Sequence, residues 1–382
     1  MNKQAPRVLH VYKDYYPPVR GGIENTINLM ARGSLKDFDV SVLVCAGKAD
    51  AGEEIVEGVR VVRVREWGRV WSAPLAPAFV RALQHEAARA DLLHFHHPNP
   101  TGDIAFLLGG IRKPYVITYH SDVVRQRAAM AAYGLVQEQM MRRAAVIMPT
   151  SPNYIESSVW LRRHRDKCRV VPLGIALQRF EKTPERQRKA AQIREQFGGR
   201  PIVIFVGRLR YYKGLHFLVE AMRHVEAQLL IVGVGPEQER LFLQARAAGV
   251  DKRVHFLGDL DDEDMICHLY AADVFCLPSH LRSEAFGLCQ IEAMACGLPV
   301  VSTALDTGVS FVNQHGVTGF VVPPADPLAL ASALSRLLAD DDLRPLFGAA
   351  AKQRAAELFS AERMCQKLHE VYWHVLADFK TE

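Results

Sequence analysis

Short apolar runs alternate with helical patterns along the whole of this 382-residue chain, and that alternation limits the fold more than any other feature. RVLHVY (7–12), VSVLVC (40–45), VRVVRV (59–64), DLLHFH (91–96), PYVITYH (114–120) and AVIMPT (145–150) have the length and composition of buried strands. Amphipathic, alanine-rich stretches such as 75–90 and 128–144 lie between them. After about residue 200 the rhythm restarts with PIVIFVG (201–207), AQLLIVG (227–233), RVHFLG (253–258), DVFCLP (273–278), LPVVST (298–303) and TGFVVP (318–323). Strand–helix alternation predicts parallel sheets covered on both faces, and two successive sets predict an α/β protein of two Rossmann-like domains facing across a cleft. The segment 170–200 is charged and carries two prolines and three glycines, so it marks the join. The expected domains are 1–172 and 173–360. Residues 361–382 are expected to form a helix packing back on the first domain, with Met364, Leu368, Tyr372 and Leu376 at helical spacing.

Composition excludes several classes. Apolar content is 49% and charged content 23%, as in soluble globular proteins. No run of eighteen apolar residues predicts a spanning helix, and MNKQAPRVLHVY lacks the apolar core of a signal peptide. Seven cysteines without a CxxC pair suggest reduced thiols and a cytoplasmic setting. Charge is uneven: residues 1–172 hold 24 lysines and arginines against 16 acids, and the remainder 23 against 26. Arg162, Arg163, Arg165, Lys167 and Arg169 crowd behind Trp160 and Leu161. Exposed apolar residues beside such cations suit an anionic membrane surface, or the run is simply a solvated helix face. A modest excess without a recognition motif excludes nucleic acid.

In open parallel sheets, ligands sit beyond the carboxyl ends of the strands, so the loops there carry the chemistry. After the first strand, Gly21 and Gly22 immediately precede a helix expected to begin near Ile23, where free amides receive an anion. GxGxxG is missing, and GVGPEQ (233–238) departs from it at Gln238, which argues against a dinucleotide-dependent dehydrogenase. In VGRLRYYKG (206–214), Arg208 and Lys213 flank a loop before a helix, a suitable diphosphate clamp. In SEAFGLCQIEAMACGLPVV (283–301), Glu284 lies in a loop and Glu292 in the helix that Gly297 stops. Counted as eight helical residues, the two acids differ by roughly 80° of rotation and rise about 12 Å. The amides of Phe286, Gly287 and Leu288 lie between them. A carboxylate beside a diphosphate accepts from hydroxyls, so each acid suits a sugar and the amides suit the phosphates.

The segment from Glu284 to Glu292 resembles the signature of the retaining nucleotide-sugar glycosyltransferases of family 4, which have the GT-B fold. GGIE (21–24), TYHSD (118–122), VPLGI (171–175), VGRLRYYKG (206–214), GVGPE (233–237), VHFLG (254–258) and TGFVVPP (318–324) follow in the family's order. The resemblance implies roles by position. Glu284 binds hydroxyls of the transferred sugar and Glu292 the ribose. Arg208 and Lys213 neutralise the diphosphate. Phe286 to Leu288 give backbone contacts, and Gly21 and Gly22 approach from the other domain. His120 lies near the anomeric centre, and the base near Gly233 and Leu257. No protein nucleophile is implied, and fixed cations stabilise the leaving group without a metal or other cofactor.

His94, His96 and His97 raise the question of zinc, and His94 and His96 share a strand face, but no cysteine or acidic cluster accompanies them. His96, His97 and Asp122 are instead candidates for the acceptor. Asp259-Leu260-Asp261 is explained by helix capping from Asp261 or Asp262. HVYKDYYPPVRGGIE with HFHHPNP looks like bacterial O-antigen transferases. The expected donor is therefore GDP-mannose or GDP-rhamnose, with a UDP-sugar as the alternative. The expected acceptor is a lipid-linked or other glycan at the cytoplasmic membrane face. A sugar-nucleotide epimerase and a non-catalytic nucleotide-sugar binder are the competing readings.

Overall fold

The structure, a computed structural model, describes residues 5–19, 21–47, 49–70, 73–122 and 127–379, with backbone alone for 127–132. The chain divides into two units, one of residues 1–174 with 361–382 and the other of residues 175–360.

In the first unit β1 (Arg7–Val11) leads into α1 (Gly22–Ser34) and β2 (Asp39–Cys45). β3 (Gly52–Val56) and β4 (Val59–Val64) form a hairpin, and β5 (Gly68–Val70) with β6 (Ala73–Leu75) a separate antiparallel ribbon. Then follow α2 (Phe79–Arg89), β7 (Leu92–His97), α3 (Pro100–Leu108), β8 (Tyr115–Tyr119), α4 (Arg127–Arg143), β9 (Val146–Pro149), α5 (Pro152–Ser157) and α6 (Val159–Arg163). The sheet order is β3-β4-β2-β1-β7-β8-β9, parallel except at β3. β7 and β8 are buried at every residue, as strands with both faces covered must be. The polar residues of β7 are therefore interior ones. β3 (GEEIV) escapes sequence reading because four of its five residues are exposed.

In the second unit α7 (Pro184–Gln196) precedes β10 (Ile202–Val206), α8 (Leu215–Ala221), β11 (Gln228–Val232), α9 (Gln238–Ala247), β12 (Val254–Gly258) and α10 (Asp262–Ala271). β13 (Val274–Leu277), α11 (Leu288–Ala295), β14 (Val300–Thr303), α12 (Val309–Val312), β15 (Gly319–Val322), α13 (Pro327–Ala339) and α14 (Leu343–Leu358) complete it. The sheet is wholly parallel, in the order β12-β11-β10-β13-β14-β15. The stretch 170–200 is not a linker. α7, capped by Thr183 with Pro184 in its first turn, packs Ala190 and Ile193 against Cys267 and Ala271. The division falls between residues 174 and 175.

The final helix, α15 (Ala361–Asp378), belongs to the first unit. It buries Met364, Leu368, Tyr372 and Leu376. It lies close against α1: a Cβ on Gly33 would sit 2.4 Å from the Cys365 sulfur, so a larger residue there would displace that side chain. Ser34 Oγ meets His369 Nε2 at 2.9 Å, and Phe38 packs edge-on against Tyr372.

Candidate active site

In the second unit the strand order reverses between β10 and β13, and the loops leaving those neighbouring carboxyl ends, 207–214 and 278–287, meet there. Gly214 has a left-handed φ of 69°, and a Cβ there would lie 2.0 Å from the Pro278 carbonyl oxygen. The His280 amide donates to the Tyr212 carbonyl at 3.0 Å. This close seam delivers Lys213 to Glu284, with Nζ 2.5 Å from Oε2 and both residues buried. Ser279 Oγ donates to the same carboxylate oxygen at 3.1 Å. The Thr307 hydroxyl donates to the Glu284 carbonyl at 2.8 Å, and that of Thr303 to the Ser279 carbonyl. Burial alone lowers the Lys213 pKa; the facing Glu284 carboxylate outweighs it and raises the pKa well above the ordinary value. The ammonium is therefore charged at neutral pH.

Glu284 is not helical. Gly287, at φ 78°, turns the chain, and α11 begins at Leu288. The helical spacing of about 12 Å between the two acids does not hold, because half of the interval is loop. Glu292 is the fifth residue of α11, just over one turn in. It is half-buried, and burial raises its pKa against the pull of Arg179 and Lys213. The amides of Phe286, Gly287 and Leu288 have no acceptor among the described residues, and the last opens a helix whose first amides lack intrahelical partners. Cys289, beside Lys213, is pushed up to about 12 by burial and stays a thiol.

Arg208 is exposed and has no ion-pair partner among the described residues. Gly233 has a φ of 123°, and a Cβ would lie 2.2 Å from the Gly207 carbonyl oxygen, so the ends of β10 and β11 touch through backbone alone. Leu257 lines a cavity of about 840 Å³ with Phe197, Pro236, Phe242 and Phe256. Asp261 resolves the acidic triplet: its carboxylate accepts from the Asp264 amide as the N-cap of α10.

In the first unit, α1 begins at Gly22, one residue before Ile23. Gly21 is its extended N-cap, and the Glu24 carboxylate covers it, 2.1 Å from where a Cβ would be. His120 follows β8 at the carboxyl edge of the sheet, buried, with its Nδ1 lacking a hydrogen-bond partner among the described residues. Burial chiefly, and the neighbouring His97 secondarily, push it down to about 3. His96 does not serve as an acceptor contact. It is fully buried, with Nε2 3.0 Å from His10 Nδ1 and Nδ1 3.0 Å from His120 Nε2. His97 is buried with Nε2 3.0 Å from Asp103 Oδ1 but not aligned for a hydrogen bond, and the other Asp103 oxygen accepts from the Tyr133 hydroxyl. Asp122 is half-buried, accepting from the Tyr119 hydroxyl at 2.7 Å and from Ser158 at 2.8 Å.

Among the described residues, the cluster with metal-ligand spacing is His10, His94 and His96, each of which has one ring nitrogen within 4.8 Å of one on the others. Every one of those nitrogens already has a hydrogen-bond partner, so no lone pair is available to an ion in this arrangement.

The basic run of the first unit is partly structural. Leu161 is buried, not exposed as expected, because α6 turns it to the core. Lys167 donates to the Arg142 and Ala144 carbonyls at the end of α4, and Arg165 pairs with Glu156. Arg162, Arg163 and Arg169 stay exposed, as do the apolar Leu135 and Val159. No described helix is long and apolar enough to cross a membrane.

Sequence reasoning missed Ser279, Thr303 and Thr307, which hold Glu284, and His10, Thr118 and Tyr372, which join the histidines. A loop serine or strand threonine carries no periodic signal, and Tyr372 reads as one more apolar position of α15.

Residues 186–354 match the family described as "Glycosyl transferases group 1", and residues 21–174 the "Glycosyl transferase 4-like domain". The chain is 37% identical to the D-rhamnosyltransferase WbpZ of Pseudomonas aeruginosa over 93% of its own length and 92% of that protein's. It is 33% identical to the O-antigen chain mannosyltransferase C of Escherichia coli, covering 97% and 99%. The solved structure of HepE from Anabaena in complex with UDP aligns with a TM-score of 0.79 at 21% identity, covering 96% of this chain and all of that one. The chain belongs to the family 4 glycosyltransferases and has the GT-B fold.

Proposed function

We propose that this glycosyltransferase moves a hexose, with retention, from GDP-mannose or GDP-rhamnose to a lipid-linked or other glycan acceptor in bacterial O-antigen synthesis. The observation that carries the reading is the buried Lys213–Glu284 pair beside the free amides that open α11. A diphosphate at those amides draws the Lys213 ammonium and the exposed Arg208 onto its oxygens. The Glu284 carboxylate, released from the lysine, then accepts from hydroxyls of the sugar. Glu292 takes the ribose and Gly233 and Leu257 flank the base; the resemblance assigns Gly21 and Gly22 to the diphosphate as well. The resemblance assigns His120 to the reacting sugar, and Asp122 is the candidate for the acceptor, whereas His97, buried like His96, is withdrawn as an acceptor contact. The cations stabilise the departing nucleoside diphosphate without a metal. The rhamnosyl and mannosyl activities in the names of the two relatives support these transferred sugars. The exposed arginines of the first unit suit a peripheral site on the cytoplasmic membrane face.

The deciding assay incubates the purified chain with GDP-mannose, GDP-rhamnose or UDP-glucose, with and without a lipid-linked glycan extract, and follows nucleotide release. GDP release that depends on acceptor and survives EDTA is expected. Conversion of the sugar nucleotide alone points to the epimerase, and UDP release to the UDP-sugar alternative.

A further inference from the structure

A single file of hydrogen-bonded polar groups crosses the interior of the first unit. Thr118 Oγ1 meets His94 Nε2 at 2.7 Å, and His94 Nδ1 meets the Tyr372 hydroxyl at 2.6 Å. That hydroxyl meets His10 Nε2 at 3.2 Å, His10 Nδ1 meets His96 Nε2 at 3.0 Å, and His96 Nδ1 meets His120 Nε2 at 3.0 Å. The file draws on β1, β7, β8 and α15, and every member is buried.

The four imidazoles are neutral: burial pushes His10 and His120 down to about 3, and holds His94 and His96 well below the usual range. A neutral imidazole has one N–H and one lone pair. The six groups therefore hold six hydrogens for five links, and one hydrogen is left over. It can reside on Thr118, on Tyr372 or on His120. On Thr118 or Tyr372 it has no further acceptor among the described residues, and the His120 Nδ1 lone pair is also left bare, two unmet groups in all. On His120 Nδ1 it is the file's sole unmet group among the described residues, buried at the carboxyl edge of the sheet.

We propose that Thr118, His94, Tyr372, His10 and His96 are positioning residues that fix His120 as its Nδ1–H tautomer, so that it presents a hydrogen-bond donor to an oxygen of the bound sugar. The file is all-or-none, since reversing one link reverses every link beyond it to the nearest hydroxyl. The C-terminal helix, through Tyr372, thus sets the chemistry of a histidine some 250 residues earlier in the chain. The contact with sugar rests on the placement of His120 given under the proposed function; the tautomer does not.

The test is long-range proton–nitrogen NMR on histidine-labelled full-length protein without ligand, with His120 assigned by its loss in His120→Gln. Protonation at Nδ1 in the wild type is expected, moving towards Nε2 in Tyr372→Phe, which keeps the ring and removes the central hydroxyl. Wild-type His120 protonated at Nε2, or unchanged in a folded Tyr372→Phe, overturns the proposal. Thr118→Val should also disturb the tautomer and Thr118→Ser restore it, which a purely structural threonine would not do. In turnover, Tyr372→Phe should lower kcat about tenfold with the donor KM nearly unchanged, the effect of one misplaced hydrogen bond. Full activity in His120→Gln would instead remove His120 from the site and leave the tautomer finding standing.

Discussion

Lys213 and Glu284 form a buried ion pair whose effect on stability is separable from its proposed chemistry. Each is buried, so removing one partner leaves an uncompensated charge, and Lys213→Ala should cost about 3–5 kcal/mol in chemical denaturation. Lys213→Met combined with Glu284→Gln should recover much of that loss while activity stays down by about a hundredfold or more. Glu292 works in the opposite sense. Burial raises its pKa, so the folded chain holds a proton more tightly than the unfolded one. Its charged form therefore costs stability at pH above the raised value, and the cost fades as pH falls to the ordinary carboxylate range. Glu292→Gln should raise the melting temperature of the ligand-free protein at pH 7.5, and the gain should vanish near pH 4. The same variant should bind nucleoside diphosphate more weakly in calorimetry, since the amide replaces a two-oxygen acceptor.

Among elements, α15 ties the end of the chain to the first unit. Its stripe of Met364, Leu368, Tyr372 and Leu376 completes the core of a unit whose other residues all lie before 175. Leu368 is fully buried, so Leu368→Ala should destabilise by about 2–5 kcal/mol, read from urea unfolding. α11 illustrates the limit of local reading. Its stop at Gly297 was visible from the sequence, and Gly287, adopting a left-handed turn, sets its first residue. That single turn changes the relation of Glu284 to Glu292 from a helical offset into a loop packed by Ser279 and Thr307.

For the whole molecule, the exposed cations of the first unit predict membrane binding driven by charge. Cosedimentation with vesicles containing anionic lipid should fall as salt rises from 50 to 500 mM, whereas insensitivity to salt would exclude the electrostatic reading. The strands that the sequence determined are those with continuous apolar runs: both parallel sheets, the amphipathic final helix and the glycine-flanked loops at strand ends follow from periodicity alone. Exposed β3 and the β5–β6 ribbon did not show, because a strand held by backbone pairing on an edge leaves no hydrophobic pattern. The site divided in the same way. Lys213, Arg208, Glu284 and Glu292 stood out as candidates because charges in a glycine-rich loop or an apolar run have few structural reasons to be there. That Lys213 pairs with Glu284, that His96 faces inward, and that Tyr372 joins His10 to His94 were decided by the tertiary structure alone. Those contacts join residues 71, 24 and 278 or more positions apart, and only strand order and helix docking, which no local pattern encodes, bring them within hydrogen-bonding distance.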